Sequence, residues 1–161
     1  NKNIILSAKQ AVDLVDKNVK VIETKSIPEA FTAMINFDEG LDLDSNYENM
    51  SESISEVLTL QLTYAVRDTK IGDLEISKGD LIGLKGNDIV IRDKKTEETM
   101  YDLVKKSIDD DSSLITIYYG NEADKVKSEK LLEKLEEKFD DMDIELVYGG
   151  QPLYYYIASI E

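Results

Sequence analysis

Cysteine and histidine are both absent from the 161 residues. Without cysteine there is no disulfide, thiolate nucleophile or thiolate metal site, which fits a reducing, cytoplasmic setting. Without histidine, the usual general base, histidine-dependent triads and the common zinc sites drop out. Hydrolytic or phosphatase-like chemistry is a poor fit, because such reactions generally need an activated nucleophile or a metal. No run approaches the roughly 18 to 20 apolar residues of a membrane span, and the amino terminus lacks a basic stretch followed by an apolar one. Positive charge is scarce: 19 Lys and Arg stand against 34 Asp and Glu, a net charge of -15. That surface repels phosphate backbones and anionic headgroups, so no nucleic acid partner and no membrane insertion are expected, whereas a basic protein face is attracted.

What is present describes a globular chain. The hydrophobic content is 42% and is spread along the whole length, enough for one or two compact lobes. The chain starts at Asn1, directly before the apolar triplet Ile4-Ile5-Leu6, which reads as a fragment of a longer polypeptide.

Apolar spacing predicts a strand at 4–6, a helix over 7–16, a strand at 19–23 and a helix to about Asn36. Ser26 caps the second helix, with Pro28 in its first turn and Glu29 placed as in a capping box. Residues 38–47 are acidic and read as a loop, and 48–58 as a helix. From Leu60 the pattern alternates in the manner of a half-buried strand. Turn signals around Gly72, Gly79 and Gly86 then separate short strands at 81–84 and 88–91, most simply a hairpin. A helix over 96–106, a strand at 114–119, a helix over 124–139 and strands at 143–148 and 153–159 complete the reading. The expected fold is α/β with mixed sheets and crossover helices: parallel βαβα at the N-terminal end, then a hairpin plus a βαββ unit. The expected lobes are 1–59, an α/β lobe open to completion by further chain, and 60–161.

Motifs that would carry chemistry are weak. Asp109-Asp110-Asp111 and the Asp140, Asp141, Asp143 group lack calcium-loop spacing and read as solvated loops. No glycine-rich phosphate loop occurs, and Gly149-Gly150 reads as a tight turn between two strands. Thr24, Lys25 and Ser26, at a strand-to-helix junction, together with Gly149 and Gly150, form a candidate anion site, beside the plainer role of Ser26 as a cap. Six of the nine tyrosines lie in the last three strands, Tyr118, Tyr119, Tyr148, Tyr154, Tyr155 and Tyr156, and alternation leaves some to fill the core and others to face outward for docking.

The segment from Leu62 through Thr69, Ile117-Tyr118-Tyr119-Gly120, the closing Gly149-Gly150-Gln151-Pro152-Leu153-Tyr154 and the opening strings from Asn3 to Gln10 and Thr24 to Pro28 together resemble the carboxy-terminal region of the fatty acid kinase A subunit, related to dihydroxyacetone kinase. The resemblance implies a multidomain bacterial protein whose amino-terminal domain binds ATP and Mg2+. It further implies that this region docks a fatty-acid-binding DegV-like protein, whose acyl group is phosphorylated for phospholipid synthesis. None of the family's catalytic residues falls on this chain, so the expectation is a region that is no enzyme alone, with no catalytic residue, metal or cofactor of its own. The residues expected to meet the partner are Arg67, Asp68, Gln151 and Tyr154. A domain binding a small anionic or acyl ligand and a homodimerisation module are the alternatives.

Overall fold

The computed structural model describes residues 2–161. The chain divides into two compact units, Asn1–Val57 and Leu58–Glu161. The division expected at residue 59 falls inside the strand that opens the second unit.

Three helices build the first unit: α1 (Lys2–Val12), α2 (Ile27–Ile35) and α3 (Leu43–Ser53), the last followed by a 3-10 turn (Ile54–Glu56). The parallel βαβα arrangement expected here is not formed, since the unit has no strand among its described residues. The triplet at 4–6 joins α1, because Ile5, Ala8 and Val12 recur three and four residues apart and supply its half-buried face. Residues 18–25 form no ladder. A strand needs a neighbour to satisfy its backbone, and neither short apolar run finds one. Ion pairs of Lys9 with Glu23 and of Lys20 with Asp44 tie this segment to α1 and α3.

α2 starts as its residues dictate: Ser26 Oγ accepts from Glu29 N at 3.2 Å and Glu29 Oε2 accepts from Lys25 N at 2.5 Å, with Pro28 in the first turn. α3 begins five residues before the expected 48. Asp42 caps it by accepting from Ser45 N at 2.8 Å, and that bond is the first cause of an Asp42 carboxyl held below its ordinary range.

The second unit is a six-stranded mixed sheet in the order β5-β4-β1-β8-β6-β7, plus a two-stranded ribbon. The sheet strands are β1 (Leu58–Tyr64), β4 (Leu81–Lys85), β5 (Asp88–Asp93), β6 (Leu114–Tyr119), β7 (Asp143–Tyr148) and β8 (Tyr154–Ile160); the ribbon is β2 (Thr69–Ile71) with β3 (Leu74–Ile76). Two helices complete the unit, α4 (Thr96–Lys105) and α5 (Lys125–Lys138). β4 and β5 form the expected antiparallel hairpin, and β6 and β7 run parallel with α5 between them, the α/β grammar of a crossover.

Leu60, Leu62, Ile115, Ile117, Tyr156, Ala158 and Ile160 from the sheet meet Met100, Leu103 and Val104 of α4 and Leu131 and Leu135 of α5 in the main core. A smaller cluster of Ala65, Ile76 and Ile82 lies under the ribbon.

Gly149-Gly150 is not a hairpin turn. β7 and β8 are separated by β6, which pairs with both. Residues 149–153 therefore arch across the end of β6 to reach its far side.

Candidate functional site

That arch lies at one end of the sheet, where β1, β6 and β7 finish and β8 begins. Here Gly149 N and Gly150 N donate to Tyr119 O at 3.0 and 3.3 Å, Asn121 N donates to Gln151 O at 3.2 Å, and Gly120 N donates to Tyr155 O at 2.9 Å. The Gln151 side chain donates through Nε2 to Tyr118 O at 2.8 Å. Gly120 has to be glycine for this packing, because a Cβ would run into the carbonyl oxygens of Tyr154 and Gln151. Gly150 adopts φ 63°, which glycine reaches without strain.

Leu153 adopts φ 71°, the one non-glycine with positive φ among the described residues. An L-residue held there costs of order 1–2 kcal/mol. Its carbonyl oxygen accepts from Thr63 Oγ1 at 2.5 Å, beside an irregularity in the β1–β8 register between Leu62 and Thr63. The side chain is 57% exposed. Around it the segment is held by hydrogen bonds at Gly149 N, Gly150 N, the Gln151 carbonyl and side chain, and the Leu153 carbonyl.

The four residues expected to meet a partner all belong to this end. Arg67 and Asp68 follow β1, both exposed, with Asp68 Oδ1 accepting from Lys78 N at 2.7 Å; Gln151 is in the arch, and Tyr154 opens β8, half-buried. Gln151 spends its amide on Tyr118, so it shapes the arch from within.

The tyrosines divide as alternation requires. Tyr156 is fully buried and shares a 2.8 Å hydrogen bond with Ser128 of α5; burial is the first cause of a phenol pushed up to about 12. Tyr148 is 61% exposed, donates to Asn121 Oδ1 at 2.6 Å and leans on the Tyr119 ring at 5.2 Å. Beside the arch, Tyr64 and Tyr155 line a cleft of about 340 Å3 with Asp80, Lys94 and Thr96. The Ser77 amide first, then Arg92 at 2.6 Å, hold the Asp80 carboxyl below its ordinary range.

The anion site expected from two segments draws on both units: Thr24, Lys25 and Ser26 on the first, Gly149 and Gly150 on the second. Within the first, Ser26 caps α2; within the second, both glycine amides are used by Tyr119 O.

Sequence reasoning passed over Leu153 and the outer face of α2. Ile27, Phe31, Met34 and Ile35 recur at helical spacing and are all exposed. Their periodicity was legible, but it carries no sign of which face a helix buries.

The residues described above can position and bind. Among the described residues no three acidic side chains are placed to hold a metal ion, and no helix is long and apolar enough to cross a membrane.

The FakA-like family model, which describes the C-terminal part of the fatty acid kinase A subunit and its relatives, matches residues 1–161. An uncharacterised protein of Staphylococcus aureus (strain MRSA252) is 37% identical over 161 residues, and one of Staphylococcus haemolyticus (strain JCSC1435) 38%. In both, the match covers 100% of this chain and 29% of the relative, so the chain spans less than a third of the curated proteins it matches. Among solved structures, a DegV family protein from Corynebacterium glutamicum matches with a TM-score of 0.65 at 14% identity, covering 96% of this chain and 68% of that one. The Streptococcus pneumoniae fatty acid kinase B3 protein loaded with linoleic acid matches with a TM-score of 0.60 at 17% identity, over 99% and 64%. These likenesses show a shared fold.

Proposed function

The chain belongs to the FakA-like C-terminal family of fatty acid kinases, and from that premise we propose that it is the docking and regulatory region of a bacterial fatty acid kinase. It holds a DegV-like protein that carries the fatty acid. A kinase domain elsewhere in the longer polypeptide, with ATP and Mg2+, then phosphorylates the acyl carboxylate. Phosphoryl transfer depends mainly on placing the reacting groups and stabilising charge, so a region that fixes the position of the acyl carrier contributes without a catalytic side chain of its own.

One observation carries the reading: the arch is held by hydrogen bonds at Gly149, Gly150, Gln151 and the Leu153 carbonyl yet leaves the Leu153 side chain exposed at a strained φ, at the same end of the sheet as exposed Tyr148, Arg67 and Asp68. A rigid apolar tip with polar neighbours is what a partner-binding surface needs. The net charge of -15 supports a partner with a basic face. The test is phosphorylation of protein-bound fatty acid by the whole kinase with and without this region. Loss of activity on removal is expected; unchanged activity would contradict the proposal.

A second reading, a pocket for a small ligand, draws on the cleft between Tyr64 and Tyr155. A small molecule retained there after purification would favour it.

A further inference from the structure

In this acidic chain, one place gathers positive charge. α5 carries Lys127, Lys130 and Lys134 at spacings of three and four, so their ammonium groups rise from one side of the helix. With Leu131 and with Glu97 and Glu98 from the first turn of α4, they line a cleft of about 280 Å3 between the two helices. Leu131 is buried and gives the cleft an apolar floor. The acidic residues of α5, Glu129, Glu133, Glu136 and Glu137, do not line it.

The carboxylates present do not neutralise these lysines. Glu98 receives Lys95 Nζ at 2.8 and 2.9 Å. Lys134 lies over the Tyr101 ring, 3.7 Å from its centroid, an arrangement that holds the ammonium in place. Among the described residues, Lys127, Lys130 and Lys134 reach no carboxylate at ion-pair distance, whereas Lys125 pairs with Glu129 and Lys95 with Glu98. Lys95, outside the cleft, already neutralises Glu98, so of the groups that line it Lys127, Lys130 and Lys134 stand against the one remaining carboxylate, Glu97, an excess of two positive charges.

We infer that the α4–α5 cleft is a binding site for a small phosphate-bearing ligand, its dianionic group held by Lys127, Lys130 and Lys134 and its organic part resting on Leu131. The local excess of two charges matches a phosphate dianion better than a carboxylate. A free ligand fits better than a phosphate displayed on a bilayer, because the chain as a whole is repelled by anionic surfaces. None of the residues that line it belongs to the arch at 149–153.

The experiment is a titration of the isotopically labelled chain, followed by backbone amide NMR shifts, with inorganic phosphate, butyl phosphate and acetate at matched ionic strength. Saturable shifts gathered at Lys127, Lys130, Leu131, Lys134 and the start of α4 are expected, with acetate weaker by about tenfold. Tighter binding of butyl phosphate than of inorganic phosphate would place the organic group on Leu131; equal binding would limit the site to the phosphate group and overturn that part. The double variant Lys130→Gln, Lys134→Gln should weaken phosphate binding at least about tenfold, while Lys85→Gln on β4 should not. Shifts spread over lysines throughout the surface, or a double variant that binds as before, would overturn the inference.

Discussion

Leu153 occupies backbone space that usually selects glycine, and this separates its two effects. In Leu153→Gly the strain is relieved, so thermal stability should stay level or rise by up to about 1 kcal/mol, even though glycine loosens the unfolded chain. Affinity for the acyl carrier should nevertheless fall about tenfold, because an exposed apolar anchor is lost. Calorimetry and a melting curve on the same sample measure both, and unchanged affinity would remove Leu153 from the docking surface. Tyr156 makes a prediction in pH. Its phenol, pushed up to about 12 by burial, is kept neutral by the fold while the unfolded chain ionises near the ordinary value of 10. The stabilisation is complete below about pH 10 and drains away as pH rises from there toward about 12. Urea titrations at about pH 8 and pH 11 should therefore show a steeper alkaline loss for the parent chain than for Tyr156→Phe; parallel curves would refute it.

Asp42 caps α3 as Ser26 caps α2, and Asn46 ties the helix to the residues before it. Its side chain donates to the carbonyls of Asp38, Leu41 and Asp42 at 2.8, 3.1 and 3.2 Å and accepts from Asp38 N at 2.9 Å. Asn46→Ala removes the side-chain partner of Asp38 N and Leu41 O, while Asp38 O and Asp42 O keep the Leu41 and Asn46 amides, and it should destabilise the first unit by about 1–3 kcal/mol, read as faster amide exchange throughout α3. Exchange at the parent rate would contradict this role. Such residues are silent in sequence: Asp42 and Asn46 in an acidic stretch look like loop, so apolar spacing alone sets the start of α3 too late. The strands expected at 4–6 and 19–23 failed for a different reason: a short apolar run satisfies helix and strand patterns alike, and only pairing decides. β1 and the run from α4 to β8 were legible because alternation and helical spacing agreed with their turn signals there. The β2–β3 ribbon went unread, since its three-residue strands are too short to show a period. At the candidate site, the glycines and tyrosines were legible as residue types. The arch was not, because nothing local to Gly149-Gly150 tells a turn between neighbours from a crossing over β6.

For the molecule as a whole, charge and exposed apolar surface point the same way. The first unit leaves Phe31, Met34, Ile35 and Phe37 in solvent, and the second turns Leu153 and Tyr148 outward, on a chain of net charge -15. Carboxylates at this density should make association with a basic partner fast and salt-sensitive, weakening as screening shortens the reach of the field. The chain belongs to the FakA-like C-terminal family and shares its fold with DegV family proteins. The most direct test is calorimetric titration of this chain with the fatty-acid-loaded DegV-like protein of the same organism, at low and at moderate salt. The account predicts micromolar or tighter binding that weakens as salt rises and is reduced by Arg67→Ala and Tyr154→Ala; no detectable heat, together with failure to comigrate in gel filtration, would contradict it.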